Sequence, residues 1–353
     1  MYKKVFKLFL IALIIESLIL FISATKKYKS ENERYEDELR VYEEKVKNYE
    51  NGNQKTIENV KIENVEQIIK DIDEKKFMNL YSCFISPLDE NSFSIEMKSK
   101  IDEINNYFNS INTNVSFAYE DLYTGLRLSY NAEHLYFAAS TIKAPVIMYA
   151  YKMSNEGLLD LDEVLTYTPA FYIGGTGSIR YQKYGNTYTI RELAKKAIIE
   201  SDNIAYAMIS NKIKNSDIRE FWSGAGSSTF WSNNSIWGNV KSLDGIIYMR
   251  ELYKFLDQND NVRSELLDYY SNASLKLINI ENTPIAHKSG WTNSSIHDAA
   301  IIYSNEPYVL SINTSLGESN FYPFFTNASK LINEFHELYW KEKQQICYNQ
   351  YIN

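Results

Sequence analysis

The chain has 353 residues, 44% of them apolar, which is enough for a globular domain with a real core and appendages beyond it. Its formal charge is −8, and residues 79–353 account for it: residues 1–25 contribute +2 and residues 26–78 contribute −2. An acidic globular part argues against nucleic acid or another polyanion as a partner. Two cysteines, Cys83 and Cys347, and four histidines show no metal-ligand spacing, so no metal or other cofactor is implied. The cysteines lie near opposite ends of the globular part, and whether they pair is open at the level of sequence.

In chain order, residues 1–4 read as a short cytoplasmic tail. Val5–Ala24 is an apolar run of about 20 residues, the length that spans a bilayer as a helix. Lys3, Lys4 and Lys7 precede it and favour an inside N-terminus, although Lys26, Lys27 and Lys29 follow it. Ile22-Ser23-Ala24 is a poor signal-peptide cleavage site, so an uncleaved single-pass anchor is the favoured reading, with the rest of the chain outside the cell membrane. Residues 25–78 then form a charged helical stalk. Tyr28, Tyr35, Tyr42 and Tyr49 recur every seventh residue, with Asn32, Leu39 and Val46 on the alternate seam. Three heptads with tyrosine at every d position fit a solvated helix better than a stable coiled coil, leaving only weak self-association through the stalk. Asn51-Gly52-Asn53 interrupts it.

Residues 79–353 make the globular domain, with a core of about 93–340. The patterns predict a helix over 95–109, strands at Val115–Tyr119 and Leu126–Tyr130 around a Thr124-Gly125 turn, and a helical middle from about 140 to 270. Strands return at Ala299–Tyr303 and Tyr308–Ile312, followed by a helix at about 323–340. Strands at both ends with helices between imply one α/β sheet assembled from distant segments, with a helical subdomain inserted.

Three polar words stand out in this frame: Ser140-Thr141-Ile142-Lys143, Ser201-Asp202-Asn203 and Lys288-Ser289-Gly290. Ser140 at the head of an apolar helical run is explained structurally as an N-cap. Chemically, it is a nucleophile whose helix places Lys143 on the same face one turn later, where burial would depress the amine and fit it to take a proton. Ser201-Asp202-Asn203 between two helical runs reads as a turn; as chemistry, Ser201 relays protons, Asn203 holds a substrate carbonyl and Asp202 braces the loop. Lys288 reads as a cation on a strand edge beside Ser289, and Gly290 allows close backbone approach. Ser23-Ala24-Thr25-Lys26 fits the first pattern too, but it lies at the end of the membrane segment. Gly174-Gly175-Thr176-Gly177 lacks the Gly-Lys-Ser/Thr of a phosphate loop.

The order and surroundings of these words resemble the class A β-lactamases and the related penicillin-binding peptidases. Phe137-Ala138-Ala139, Gly174–Gly177, Tyr188–Leu193 and the stretch from His287 to Tyr303 also have counterparts there. The resemblance covers about residues 93–340. It implies an α/β sandwich with an inserted all-helical subdomain and a site between the two. By that resemblance Ser140 is the nucleophile, Lys143 its base, Ser201 the shuttle and Asn203 the carbonyl anchor. Lys288, Ser289 and Gly290 receive a substrate carboxylate, and the backbone N–H groups of Ser140 and Trp291 form an oxyanion hole.

One element departs from the pattern. Class A enzymes carry a glutamate between the second and third words that activates water for deacylation. The corresponding stretch, 223–242, contains no carboxylate; Glu220 and Asp244 flank it without the right spacing. In that stretch stand Trp231 and Trp237, with Phe221, Trp222 and Phe230 nearby, expected to pack the loop onto the domain rather than to form a rim for ligands. The implied partners are therefore β-lactams, released slowly, or D-alanyl stem peptides of the cell wall. A non-catalytic β-lactam- or cell-wall-binding module is a third reading.

Overall fold

The computed structural model describes residues 74–228, 236–316 and 321–351. The expected anchor at 5–24 and nearly all of the expected stalk lie outside these residues. Among the described residues, no helix is long and apolar enough to cross a membrane.

The chain divides into two compact units, residues 1–85 with 341–353, and Ser86–Trp340. In the first, helix α1 (Glu74–Ile85) is tied by a Cys83–Cys347 disulfide, Cα–Cα 5.8 Å, to the last turns of a C-terminal helix. The cysteine pairing that the sequence left open is therefore formed.

The second unit holds the sheet. Helix α2 (Ile95–Asn109) begins where the Ser94 hydroxyl accepts from the Met97 N–H, the reason its start was legible in sequence. Strands β1 (Val115–Asp121) and β2 (Arg127–Tyr130) form a hairpin closed at Gly125, whose φ of 73° suits glycine. The two-residue β3 (Tyr136–Phe137) leads through a 3-10 turn, Ala139–Ile142, into α3 (Lys143–Asn155). Pro145 is tolerated there because first-turn N–H groups have no intrahelical acceptor. A small β4 (Val164–Thr166) pairs with β5 (Thr187–Thr189). Then come α4 (Ile190–Ile199), α5 (Asn203–Lys212), α6 (Asn215–Gly224), β6 (Asn239–Val240), α7 (Ser242–Gln258) and α8 (Asp260–Ser271). Strands β7 (Ile285–Thr292), β8 (Ser295–Ile302) and β9 (Tyr308–Thr314) precede α9 (Phe321–Tyr351).

The main sheet is antiparallel, in the order β2-β1-β9-β8-β7. Strands from both ends of the chain thus meet in one sheet, with the helices inserted between them, as the pattern predicted. Both faces are covered, so β1, β8 and β9 are buried at every position. On one face α7 packs close enough that a Cβ on Gly245 would fall 2.6 Å from the Ser311 Cβ. On the other, Phe108 of α2 and Phe335 of α9 meet Phe117 and Tyr119 of β1. Helix α3 is buried along most of its length and forms the axis of the helical part.

Below the edge strand β7 lies a buried polar clamp. The Asp298 carboxylate accepts from the Leu277 and Ile278 N–H groups, both at 3.0 Å, and its other oxygen lies 3.0 Å from His287 Nδ1. His287 Nε2 faces the Ala273 carbonyl at 3.2 Å. Both side chains are fully buried, so removing one leaves the other without its partner in a low-dielectric site. Asp298→Ala is expected to cost about 3–5 kcal/mol of stability, measured by chemical denaturation of the full chain.

Candidate active site

The 3-10 turn at Ala139–Ile142 places the first word. Its Thr141 N–H and hydroxyl both donate to the Ala138 carbonyl, at 3.2 and 2.6 Å. Ala139 is held at φ 48°, a left-handed conformation that a residue with a Cβ adopts sparingly. Ser140 follows it, half-buried, and its side chain caps no helix: α3 starts at Lys143 without a side-chain cap. The N-cap explanation for Ser140 therefore fails. Among the described residues its hydroxyl makes no hydrogen bond, which leaves it available to react.

The second word is held from behind. Asp202 caps α5 by accepting from the Ile204 and Ala205 N–H groups at 2.8 and 2.9 Å. Its other oxygen accepts from the Ile179 N–H at 2.8 Å, so this buried carboxylate is fully occupied as a brace. Ser201 sits at φ 53°, a second left-handed residue in a chemically important word. The Thr176 hydroxyl donates to the Ser201 carbonyl at 2.6 Å, and Asn203 Nδ2 donates to the Gly174 carbonyl at 2.8 Å. The glycine loop at 174–177 is thus a support for this word. A Cβ on Gly177 would come within 2.4 Å of the Asp202 Cα, so only glycine fits. Thr176 was missed as a site residue in the sequence, because nothing local distinguishes it from loop threonines.

The words converge on the Ser201 hydroxyl. Lys143 Nζ donates to the Ser201 carbonyl, to Asn203 Oδ1 at 2.7 Å and to Ser201 Oγ at 3.2 Å. From the other side, Lys288 Nζ donates to the same Ser201 Oγ at 3.1 Å and to the Ser289 carbonyl at 2.8 Å. Both lysines are at most 1% exposed. Burial pushes the Lys143 amine well below the usual lysine range, and the neighbouring Lys288 charge lowers it further, against a smaller opposing pull from Asp202. Burial also brings Lys288 down to about 8, opposed by Asp298. The Tyr206 and Trp237 rings lie 6.0 and 5.8 Å from Lys143 Nζ. At that range a cation–π contact is worth only about 0.5–1 kcal/mol, less than a single pKa unit (about 1.4 kcal/mol). Desolvation therefore outweighs the rings, and of the two amines Lys143 is pushed further toward its neutral form. Ser201 Oγ thus accepts from both amines, and can return a proton toward Lys143 only once that amine is deprotonated.

Strand β7 completes the site. A Cβ on Gly290 would lie 2.5 Å from the Ser140 nitrogen and 2.6 Å from the Thr141 nitrogen, so the strand runs directly against the nucleophile turn. The next N–H along the strand is that of Trp291. Behind it, His297 Nε2 donates to the Phe137 carbonyl at 3.0 Å, while its Nδ1 accepts from the Thr314 N–H at 3.1 Å. Burial holds His297 down to about 4, so it stays neutral in this one tautomer and anchors the segment entering the Ser140 turn. Ser289 differs from expectation in detail. Its hydroxyl donates to the Ser274 carbonyl at 3.0 Å and must re-aim to greet a carboxylate. Lys288 has two acceptors and a third N–H to offer.

Asp244 accepts from the Lys241 N–H at 3.0 Å, the Ser228 N–H at 2.7 Å and the Ser227 hydroxyl at 2.9 Å. Glu220 is exposed on α6.

A model of the β-lactamase enzyme family matches residues 99–337. Among solved structures, the fold is similar to a PBP-A point mutant captured as an acyl-enzyme complex with penicillin G, at 21% identity, a TM-score of 0.61, and coverage of 68% of this chain and 97% of that one. It is also similar to the TLA-1 extended-spectrum β-lactamase (17% identity, TM-score 0.60, 68% and 99% covered). A β-lactamase from Sphaerobacter thermophilus matches at 14% identity and a TM-score of 0.57, with 66% and 95% covered. No curated relative matches the chain.

Two outcomes test this geometry. The acylation rate with benzylpenicillin should fall above pH about 8, as Lys288 loses its proton, and Lys288→Arg should move that limb to higher pH, since guanidinium keeps its charge. Gly290→Ala should lower acylation by at least about 10²-fold, because a 1 Å displacement of reacting groups costs that much; stopped-flow acylation measures both.

Proposed function

Because the chain belongs to the β-lactamase enzyme family and is a serine hydrolase of that fold, we propose that it is acylated by β-lactams at Ser140 and releases them slowly. The observation that carries this reading is the Ser201 hydroxyl held between the buried amines of Lys143 and Lys288 at 3.2 and 3.1 Å.

In this reading Lys143 takes the Ser140 proton, directly or through Ser201, as Ser140 Oγ bonds to the lactam carbonyl carbon. The tetrahedral oxyanion is received by the N–H groups of Ser140 and Trp291. The lactam C–N bond then breaks, Ser201 passes a proton to the leaving nitrogen, and Lys143 returns to Ser201 the proton it took from Ser140. Asn203 Nδ2 positions a side-chain carbonyl, and Lys288, with Ser289, holds the substrate carboxylate beside the backbone of Gly290. The Ser140–Lys143 hydrogen bond is made on substrate binding, as apo sites often tighten only then.

Deacylation is the weak step. With no carboxylate in 223–242, and with Asp202 and Asp244 committed to backbone N–H groups, water lacks its usual activator. Such a loss costs about 10²–10⁴ in rate. The same feature favours a second reading, a D-alanyl-D-alanine peptidase or transpeptidase whose acyl-enzyme goes to another acceptor. The apolar run at 5–24 supports a single-pass anchor that holds the domain on the outer face. The Cys83–Cys347 disulfide supports the same side, because such bonds persist in oxidising compartments.

The test is intact-mass spectrometry of the full chain with benzylpenicillin. A +1 adduct that appears on the wild type, is absent from Ser140→Ala and decays slowly is expected. Cleavage of a D-Ala-D-Ala peptide at a rate exceeding penicillin turnover would favour the peptidase. No adduct on the folded wild type would overturn acylation at Ser140.

A further inference from the structure

The polar side of Lys143 is filled by Ser201 and Asn203. Its remaining flank is aromatic: the Tyr206 ring at 6.0 Å and the Trp237 ring at 5.8 Å from Nζ. The indole is not loosely draped there. It lies 5.4 Å from the Tyr206 ring and 6.4 Å from the Phe137 ring, centroid to centroid. The chain is pinned on both sides of it. The Tyr206 hydroxyl donates to the Ile236 carbonyl, and the Ala138 N–H donates to the Gly238 carbonyl at 2.9 Å. Asn239–Val240 then pairs with Tyr136–Phe137, the strand that leads into Ser140. A hydrolytic water would need room beside Lys143 and a polar partner on the loop. Residues 223–242 contain no carboxylate, and at Trp237 the group beside Lys143 is an indole ring.

We propose that Trp237 is a positioning residue that closes the water side of Lys143 and thereby prolongs the acyl-enzyme on Ser140. This rests on the acylation reading above and adds the residue that sets how long the adduct lasts. Trp237 acts through the space beside Lys143, excluding water and keeping the amine dry. Acylation needs no water, so the two half-reactions should respond differently to its loss. An open site would also let water solvate the Lys143 ammonium, which raises the pH below which acylation fails.

The full chain and its Trp237→Ala and Trp237→Phe variants are acylated with benzylpenicillin, excess drug is removed, and adduct decay is followed by intact mass. Trp237→Ala should decay at least about tenfold faster, the scale of one lost barrier increment, with an acylation rate within about threefold of wild type and an acid limb moved to higher pH. Trp237→Phe should keep the long-lived adduct, a rescue that a loss of folding would not give. If Trp237→Ala is poorly folded, Trp237→Gln, a polar chain that admits water, carries the same expectation. Unchanged decay in a folded Trp237→Ala or Trp237→Gln variant overturns the role of Trp237. Absence of any wild-type adduct overturns the acylation reading instead, so the two failures are told apart.

Discussion

The site depends on one constraint: a single serine hydroxyl, that of Ser201, is shared by two buried lysine amines at 3.1 and 3.2 Å. A hydroxyl has one proton to give, and two ammonium groups this close in a dry setting repel one another. The arrangement is relieved when one amine gives up its proton, and burial decides which. Lys143, with Lys288 as its neighbour and only a smaller opposing pull from Asp202, is the one pushed further toward the neutral form. The proposed base and anion-binding cation are therefore not independent parts. Each bears on the charge of the other, and the Ser201 hydroxyl bridges them.

Holding two lysines at one point requires a framework that does not yield, and much of the unit serves that end. The edge strand β7 reaches the nucleophile turn only because Gly290 has no side chain, and the Asp298–His287 clamp fixes the segment beneath it. Ala139 and Ser201 both occupy left-handed backbone at the mouths of α3 and α5. Such conformations cost free energy and persist where their surroundings over-determine them. Here the surroundings are visible: Thr141 closes one turn, Thr176 and the Asp202 cap close the other, and neutral His297 braces the approach to the first.

The sequence was most readable where identity and short spacing carry the chemistry. Ser140 and Lys143 are one turn apart whatever follows, and Asp202 before an apolar run is a cap signal that needs no tertiary knowledge. The helix at 95–109 had the bounds predicted for it because Ser94 caps it locally. What stayed hidden depends on contacts between distant segments. Ser140 reads as a helix cap until β7 is seen pressing against its turn, which fixes a 3-10 conformation in its place. Strand β7 itself, and the first residues of β8, lacked an alternating pattern because both faces of the sheet are covered. Thr176 and His297 act through backbone carbonyls far along the chain, which no local pattern records.

The aromatic loop shows how an absence in the sequence becomes a physical feature. A missing carboxylate says only that one reaction step lacks a group. The structure fills part of that region with the Trp237 indole, tilted against Tyr206 at 5.4 Å and placed beside the Lys143 amine. By the proposal above, a ring there works against hydrolysis by excluding water and leaves acylation, which consumes no water, largely unaffected. We therefore propose a chain that favours capture of the acyl group over its release to water.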